Sequence, residues 1–177
     1  MENRNILRQL FFYLVIAIIA AMTRLIPHPA NFTVIGALAL FSGAYLPKKV
    51  HFFIPLTAML LSDLIIGFHS AMPYVYASFI LIGLMGVYLK KNRSFGTLFT
   101  ITLSSSLLFF FITNFGVWAT GTMYAKNVYG LLQSYVMGLP FLRNTMLGDL
   151  FYTFAFFYGY QYSEIILRKF SFKKISN

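Results

Sequence analysis

From Ile6 to Leu167 the chain is a succession of apolar runs cut by short clusters of Pro, Lys and Arg. A helix crosses the ~30 Å hydrocarbon layer with about 20 apolar residues, and most of these runs are close to that length. Charged residues make up 10% of the sequence, against about 25% in an average soluble domain. Such a chain cannot cover a water-facing surface, so its solvent is lipid. The expected fold class is an all-α integral membrane protein, a single transmembrane domain over 1–177.

Six spans are expected, at about 6–26, 32–46, 51–67, 74–89, 95–118 and 144–167. The loop Pro27-His28-Pro29-Ala30-Asn31 cannot continue a helix, because each proline restricts the backbone at and before it. Pro47-Lys48-Lys49, Phe68–Pro73 and Lys90-Lys91-Asn92-Arg93 mark the next breaks. The first run has basic flanks and an Ala-rich end, as a signal peptide does, but further runs follow and it reads as a retained span. The segment 127–142 is apolar yet holds Gly130, Gln133, Ser134, Gly138 and Pro140. It is expected to be a short amphipathic or re-entrant outer segment before the last helix.

Charge placement supports that topology. With both termini cytoplasmic, the inner side holds Arg4, Arg8, Lys48, Lys49, Lys90, Lys91, Arg93, Arg168, Lys169, Lys173 and Lys174. The outer side holds only Arg24, Lys126 and Arg143 of the 14 basic residues, a strong positive-inside bias. A crossing by 127–142 would move the basic tail outside and erase the bias. A parallel repeat, matching Asn31-Phe32…Asp63-Leu64 with Asn114-Phe115…Asp149-Leu150, would require that crossing. The charge asymmetry outweighs it.

The net charge of +10 sits in short clusters between apolar runs, not on a basic helix face, so no nucleic-acid partner is expected. Cysteine is absent, which removes disulfide and thiolate chemistry. There is no His-Glu-x-x-His, Gly-x-Ser-x-Gly or phosphate loop. An enzyme is not expected, nor a cofactor. Any ATP-driven step must come from a partner.

The acids are Glu2, Asp63, Asp149 and Glu164, and two of them lie inside apolar runs. Asp63 sits in TAMLLSDLIIGFH and Asp149 in TMLGDLFYTFAF. A carboxylate in a membrane helix is costly unless it faces protein or water and has a partner. Asp63 lies four residues from the outer end of its span, about 6 Å deep, and Asp149 lies six past Arg143, about 9 Å deep. Arg24, His28, Asn31, His69, Asn114, Trp118 and Arg143 belong to the same outer layer. Thr145, Asp149, Tyr152 and Thr153 share one helix face by their i, i+3/i+4 spacing, as do Ser106, Thr113 and Asn114.

Arg24 is the expected partner of Asp63 in a structural ion pair. Asp149, Asn114, Trp118, Arg143, Thr145, Tyr152, Asn31, His28 and His69 are the candidate solute-binding residues of an outward-facing polar pocket. The plainer alternative is a structural or assembly protein whose aspartates only pin helices. An intramembrane enzyme using Asp63 and Asp149 is a third reading, without a motif behind it. A metal site from His28, His69 and the aspartates has no ligand spacing in its favour, and none is expected.

Ala17 and Ala21 form a small-xxx-small strip on the first span; Gly36 with Leu40 and Ala39 with Gly43 form another. Such strips let helices approach closely, within the chain or across an interface.

The short Gly-rich second span followed by Ser62-Asp63-Leu64 resembles the substrate-binding S components of energy-coupling factor transporters. Arg24, Pro27-His28-Pro29, Asn31-Phe32, Gly36-Ala37-Leu38-Ala39-Leu40-Phe41, Ile112-Thr113-Asn114-Phe115-Gly116-Val117-Trp118 and Arg143-Asn144-Thr145…Gly148-Asp149-Leu150 resemble more closely a family of small bacterial transport membrane proteins. The resemblance implies a multi-pass protein of the bacterial cytoplasmic (inner) membrane that captures a vitamin-like solute or other micronutrient. It implies as partners the lipid bilayer, the solute and a coupling membrane subunit with ATPases. Ala17 and Ala21 would contact that subunit, and 127–142 would close over the ligand as a lid.

Overall fold

The computed structural model describes the backbone of residues 2–47 and 50–175 and the side chains of residues 11–47 and 50–166. Lys48 and Lys49 lie outside the described residues, as do the side chains of Arg4, Arg8, Arg168, Lys169, Lys173 and Lys174 used in the charge count. The described residues form six helices and no strand: α1 (Glu2–Leu25), α2 (Ile35–Tyr45), α3 (Phe53–Ile66), α4 (Met72–Tyr88), α5 (Phe95–Thr120) and α6 (Val128–Ile175).

Local chemistry sets most of the ends. Ser94 caps α5, its hydroxyl accepting from the Thr97 amide at 3.4 Å. Asn127 caps α6, its side-chain oxygen accepting from the Gly130 amide at 2.9 Å, a bond that satisfies one of the helix's orphan donors. Pro73 stands in the first turn of α4, where its missing N–H costs nothing. Between α1 and α2 the chain turns through Asn31 at φ 64°, a left-handed conformation that asparagine tolerates better than most residues.

α5 packs along α6, α2 along α4 and α1 along α3, while α2 also touches α3, α5 and α6. α2 is therefore the central element, with nine of its 11 residues buried. Its approach to α4 is made by glycines. A Cβ at Gly43 would collide with the Gly83 carbonyl, and one at Gly86 with the Leu40 carbonyl. The Ala39/Gly43 strip thus packs within the chain.

Polarity runs opposite to that of a water-soluble protein. Phe11, Ile65, Phe111 and Phe151 are 54–71% exposed on four different helices. Ser42, Ser62, Asp63, Ser78, Thr102, Ser105, Ser106 and Thr153 are all at most 1% exposed. One described helix, Phe95–Thr120, is long and apolar enough to cross a membrane; Phe11–Leu25, Ile35–Tyr45, Phe53–Ile66 and Met72–Tyr88 are shorter apolar helices.

Two expectations need correction. Residues 127–142 do not form a separate outer or re-entrant segment: Val128–Ile175 is one 48-residue helix with Pro140 inside it. A proline removes a single backbone donor, and the long contact with α5 holds the helix together across that gap. Because the segment is continuous with 144–167 in one helix, it is not an independent crossing, and the parallel repeat loses its basis. The depth of Asp149 counted from Arg143 also lapses, since the helix begins 15 residues earlier, at Val128.

The Ala17/Ala21 strip is the second correction. Ala17 is 0% and Ala21 4% exposed, and α1 packs on α3. These methyls lie inside the chain's own bundle and are not offered to a coupling subunit.

Candidate functional site

At the end of the bundle where α1 stops and α6 starts lies a cavity of about 390 Å³. Its polar lining comes from Arg24, Asn31, Thr33, His69, Thr113 and Asn114, and its apolar walls include Met59, Phe79, Phe109, Tyr124, Met137 and Phe141. Five helices and three connections contribute. A smaller chamber of about 30 Å³ holds Gly36, Ile82, Thr145 and Asp149 in its walls. Asn31, Thr33, Phe79 and Phe109 line both spaces, so the chamber adjoins the cavity as a recess beside it.

The two buried aspartates have different surroundings. Asp63 is answered by the protein: Arg24 Nη1 lies 2.7 Å from its Oδ1, and the Tyr76 hydroxyl donates to its Oδ2 at 3.0 Å. The same Nη1 also reaches Ser62 Oγ and, at 3.5 Å, the Met59 carbonyl. Ser62 and Asp63 are adjacent on α3, so one guanidinium corner ties α1 to α3 while Tyr76 brings in α4. All the hydrogen bonds of Arg24 among the described residues come from Nη1, and the residue lines the cavity.

Asp149 is 4% exposed and takes one hydrogen bond among the described residues, from Ser106 Oγ to Oδ2 at 2.7 Å. Ser106 has the Thr102 carbonyl as a second acceptor at 3.1 Å, so its single proton is shared between two claims. Gly36 on α2 faces the carboxyl, and a Cβ there would overlap it. The acid is thus held among α2, α5 and α6.

Of the candidate solute-binding residues, Asn31, His69, Asn114, Thr145 and Asp149 line the cavity or its recess. The amide of Asn114 donates to the Phe110 carbonyl at 2.8 Å and lies against Gly138, where a Cβ would meet it. His28, Trp118, Arg143 and Tyr152 do not line either space. His28 is exposed, with Nδ1 2.5 Å from the Ile26 carbonyl. Trp118 Nε1 donates to the Ala125 carbonyl at 2.9 Å, and Lys126 stands over its ring; together they brace the α5–α6 turn. Arg143 is on the exposed side of a helix already four turns old. Tyr152 packs edge-on against Phe32.

Sequence reasoning left out Thr33, Phe79, Phe109 and Met137 from the walls and Ser106 from the acid's partners. Ser106 carried a signal, since it shares a helix face with Asn114. Phe79 and Phe109 carried none among 21 phenylalanines.

No curated protein and no solved structure matches the chain. The model of one family, described as a family of unknown function (DUF6580), matches residues 4–171, and the chain belongs to that family.

Proposed function

We propose that the protein is a multi-pass protein of the bacterial cytoplasmic membrane that binds a small solute in the cavity between α1, α5 and α6, as a substrate-binding subunit similar to an S component. The observation that carries this reading is the cavity itself. At about 390 Å³ it falls in the range of small-molecule sites, about 300–1,000 Å³, and it combines apolar and aromatic walls with a few polar groups, as such sites do. The exposed apolar and buried polar side chains support lipid as the surrounding solvent. The basic clusters support an outward-facing cavity, since Lys90, Lys91 and Arg93 lie at the opposite end of α4 and α5.

The test is a thermal-stability screen of the purified protein in detergent against vitamins, corrinoids, nucleobases and metal ions. A saturable rise in melting temperature that is lost on filling the cavity with Asn114→Leu supports the reading. Absence of any ligand response across the screen would sink it in favour of the structural alternative. One observation favours that alternative for part of the site: the Arg24–Asp63–Tyr76 cluster joins three helices and has its charges matched.

A further inference from the structure

The charge of the solute follows from the recess, and this step rests on the solute-binding reading above. Asp149 is buried, yet it stands on the wall of an open space rather than in packed core. The one ion pair among the described residues is Arg24–Asp63, so no cation of the described chain answers Asp149. The other recess groups are neutral: Asn31, Thr33, Thr145 and the apolar Phe79, Ile82 and Phe109. The N-terminal turn of α2, at Gly36, adds only part of a positive charge, about half an elementary charge for a whole helix. No amide of α2 is bonded to the carboxyl among the described residues. A carboxylate in an apolar bundle is costly without a counter-charge.

Size narrows the class of cation. The recess of about 30 Å³ has room for about two or three water-sized groups, since a single water needs about 10–15 Å³ of such space. An –NH3+ group fits; a guanidinium or a quaternary ammonium does not. The hydrogen-bonding needs also agree. An ammonium offers three donors and accepts nothing. Thr145 has already given its proton to the Phe141 carbonyl at 2.8 Å, so its oxygen is left as an acceptor beside Asp149. We infer that the solute carries a primary ammonium group, which seats on Asp149 in the recess while an apolar body occupies the larger cavity between Met59, Phe79, Phe109 and Met137.

The test uses the full-length chain in detergent, melted with 2-phenylethylamine, tryptamine and 1-aminohexane, each beside the alcohol and the carboxylate of the same skeleton. A parallel series exchanges Na+ for choline. The amines should raise the melting temperature where their alcohols and carboxylates do not. Asp149→Asn should melt near the wild type and lower apparent amine affinity by at least about tenfold, the loss expected for one charged hydrogen bond. Gly36→Ala, whose Cβ would push the Asp149 carboxyl out of its place, should also abolish the shift. If Asp149→Asn does not fold, the amine–alcohol comparison on the wild type decides alone. Stabilisation by alcohols or carboxylates as strong as by amines overturns the inference and leaves solute binding standing. A Na+ response without an amine response assigns the recess to an inorganic cation and overturns it too. Silence toward the amines and the wider screen alike removes both readings.

Discussion

Arg24→Ala should cost more stability than Asp63→Ala, although both delete the same 2.7 Å ion pair. Breaking a buried pair from one side costs about 3–5 kcal/mol, chiefly because the survivor is stranded. The survivors here are unequal: the Asp63 side chain is 1% exposed and that of Arg24 is 18% exposed. Without Arg24, the carboxylate keeps only the Tyr76 hydroxyl on a side chain that is otherwise enclosed, which places the loss at the upper end, about 4–5 kcal/mol. Without Asp63, the guanidinium keeps Ser62 and the Met59 carbonyl and faces the cavity, which places it near about 3 kcal/mol. The double variant strands no charge and should be more stable than Arg24→Ala alone, with a favourable coupling of about 1–3 kcal/mol in the mutant cycle. The assay is the unfolding midpoint of the four purified proteins in one detergent. Asp63→Ala equal to or worse than Arg24→Ala, or a double variant worse than both, would refute the argument.

Other perturbations probe the helix contacts and the topology. Gly43→Ala and Gly86→Ala place a methyl against a backbone carbonyl and should each destabilise by about 1–3 kcal/mol. Gly159→Ala meets nothing within 4 Å and should be neutral or stabilising by about 0.5–1 kcal/mol, as Ala for Gly usually is within a helix; the same melting assay separates them, and similar losses at all three positions would contradict the α2–α4 contact. In the cysteine-free chain, Thr122→Cys should react with an impermeant thiol reagent on intact cells and Lys91→Cys should not. The reverse pattern would invert the membrane orientation.

The helices were legible because their punctuation is chemical: the Pro27–Asn31 loop, the turn at Phe68–Pro73 and the polar Lys90–Arg93 cluster each interrupt an apolar run. The Arg24–Asp63 pair was legible through scarcity, since Arg24, Lys126 and Arg143 are the few basic residues expected in the outer layer to partner a buried acid. Continuity through Pro140 was not legible. The proline rule is local, whereas the contact of α6 with α5 that overrides it is tertiary. Ala17/Ala21 misled for a related reason, because a strip of small residues reads the same whether it meets a helix of its own chain or of another. The aromatic walls were hidden by abundance: Phe79 and Phe109 differ from other phenylalanines only in what they face.

The short central helix explains why the cavity lies where it does. Eleven residues of α2 rise about 16 Å, roughly half of the ~30 Å hydrocarbon layer. A helix that stopped there in lipid would leave its first amides unsatisfied, which hydrocarbon does not tolerate. Val34 supplies no side-chain cap, so on the proposed membrane reading water is the expected partner at this end, and the cavity with its recess at Thr33 and Gly36 is the way in. A cysteine at Thr33 should therefore react with a small charged methanethiosulfonate, despite a depth at which lipid would shield it. A cysteine at Ser42, which is 0% exposed and about 10 Å further along α2 from Ile35, should stay unreactive in the folded protein. Equal reactivity at the two positions would mean that water runs the length of α2. An inert Thr33→Cys would mean that the cavity is dry, and α2 would then need another source of partners for its N-terminal amides.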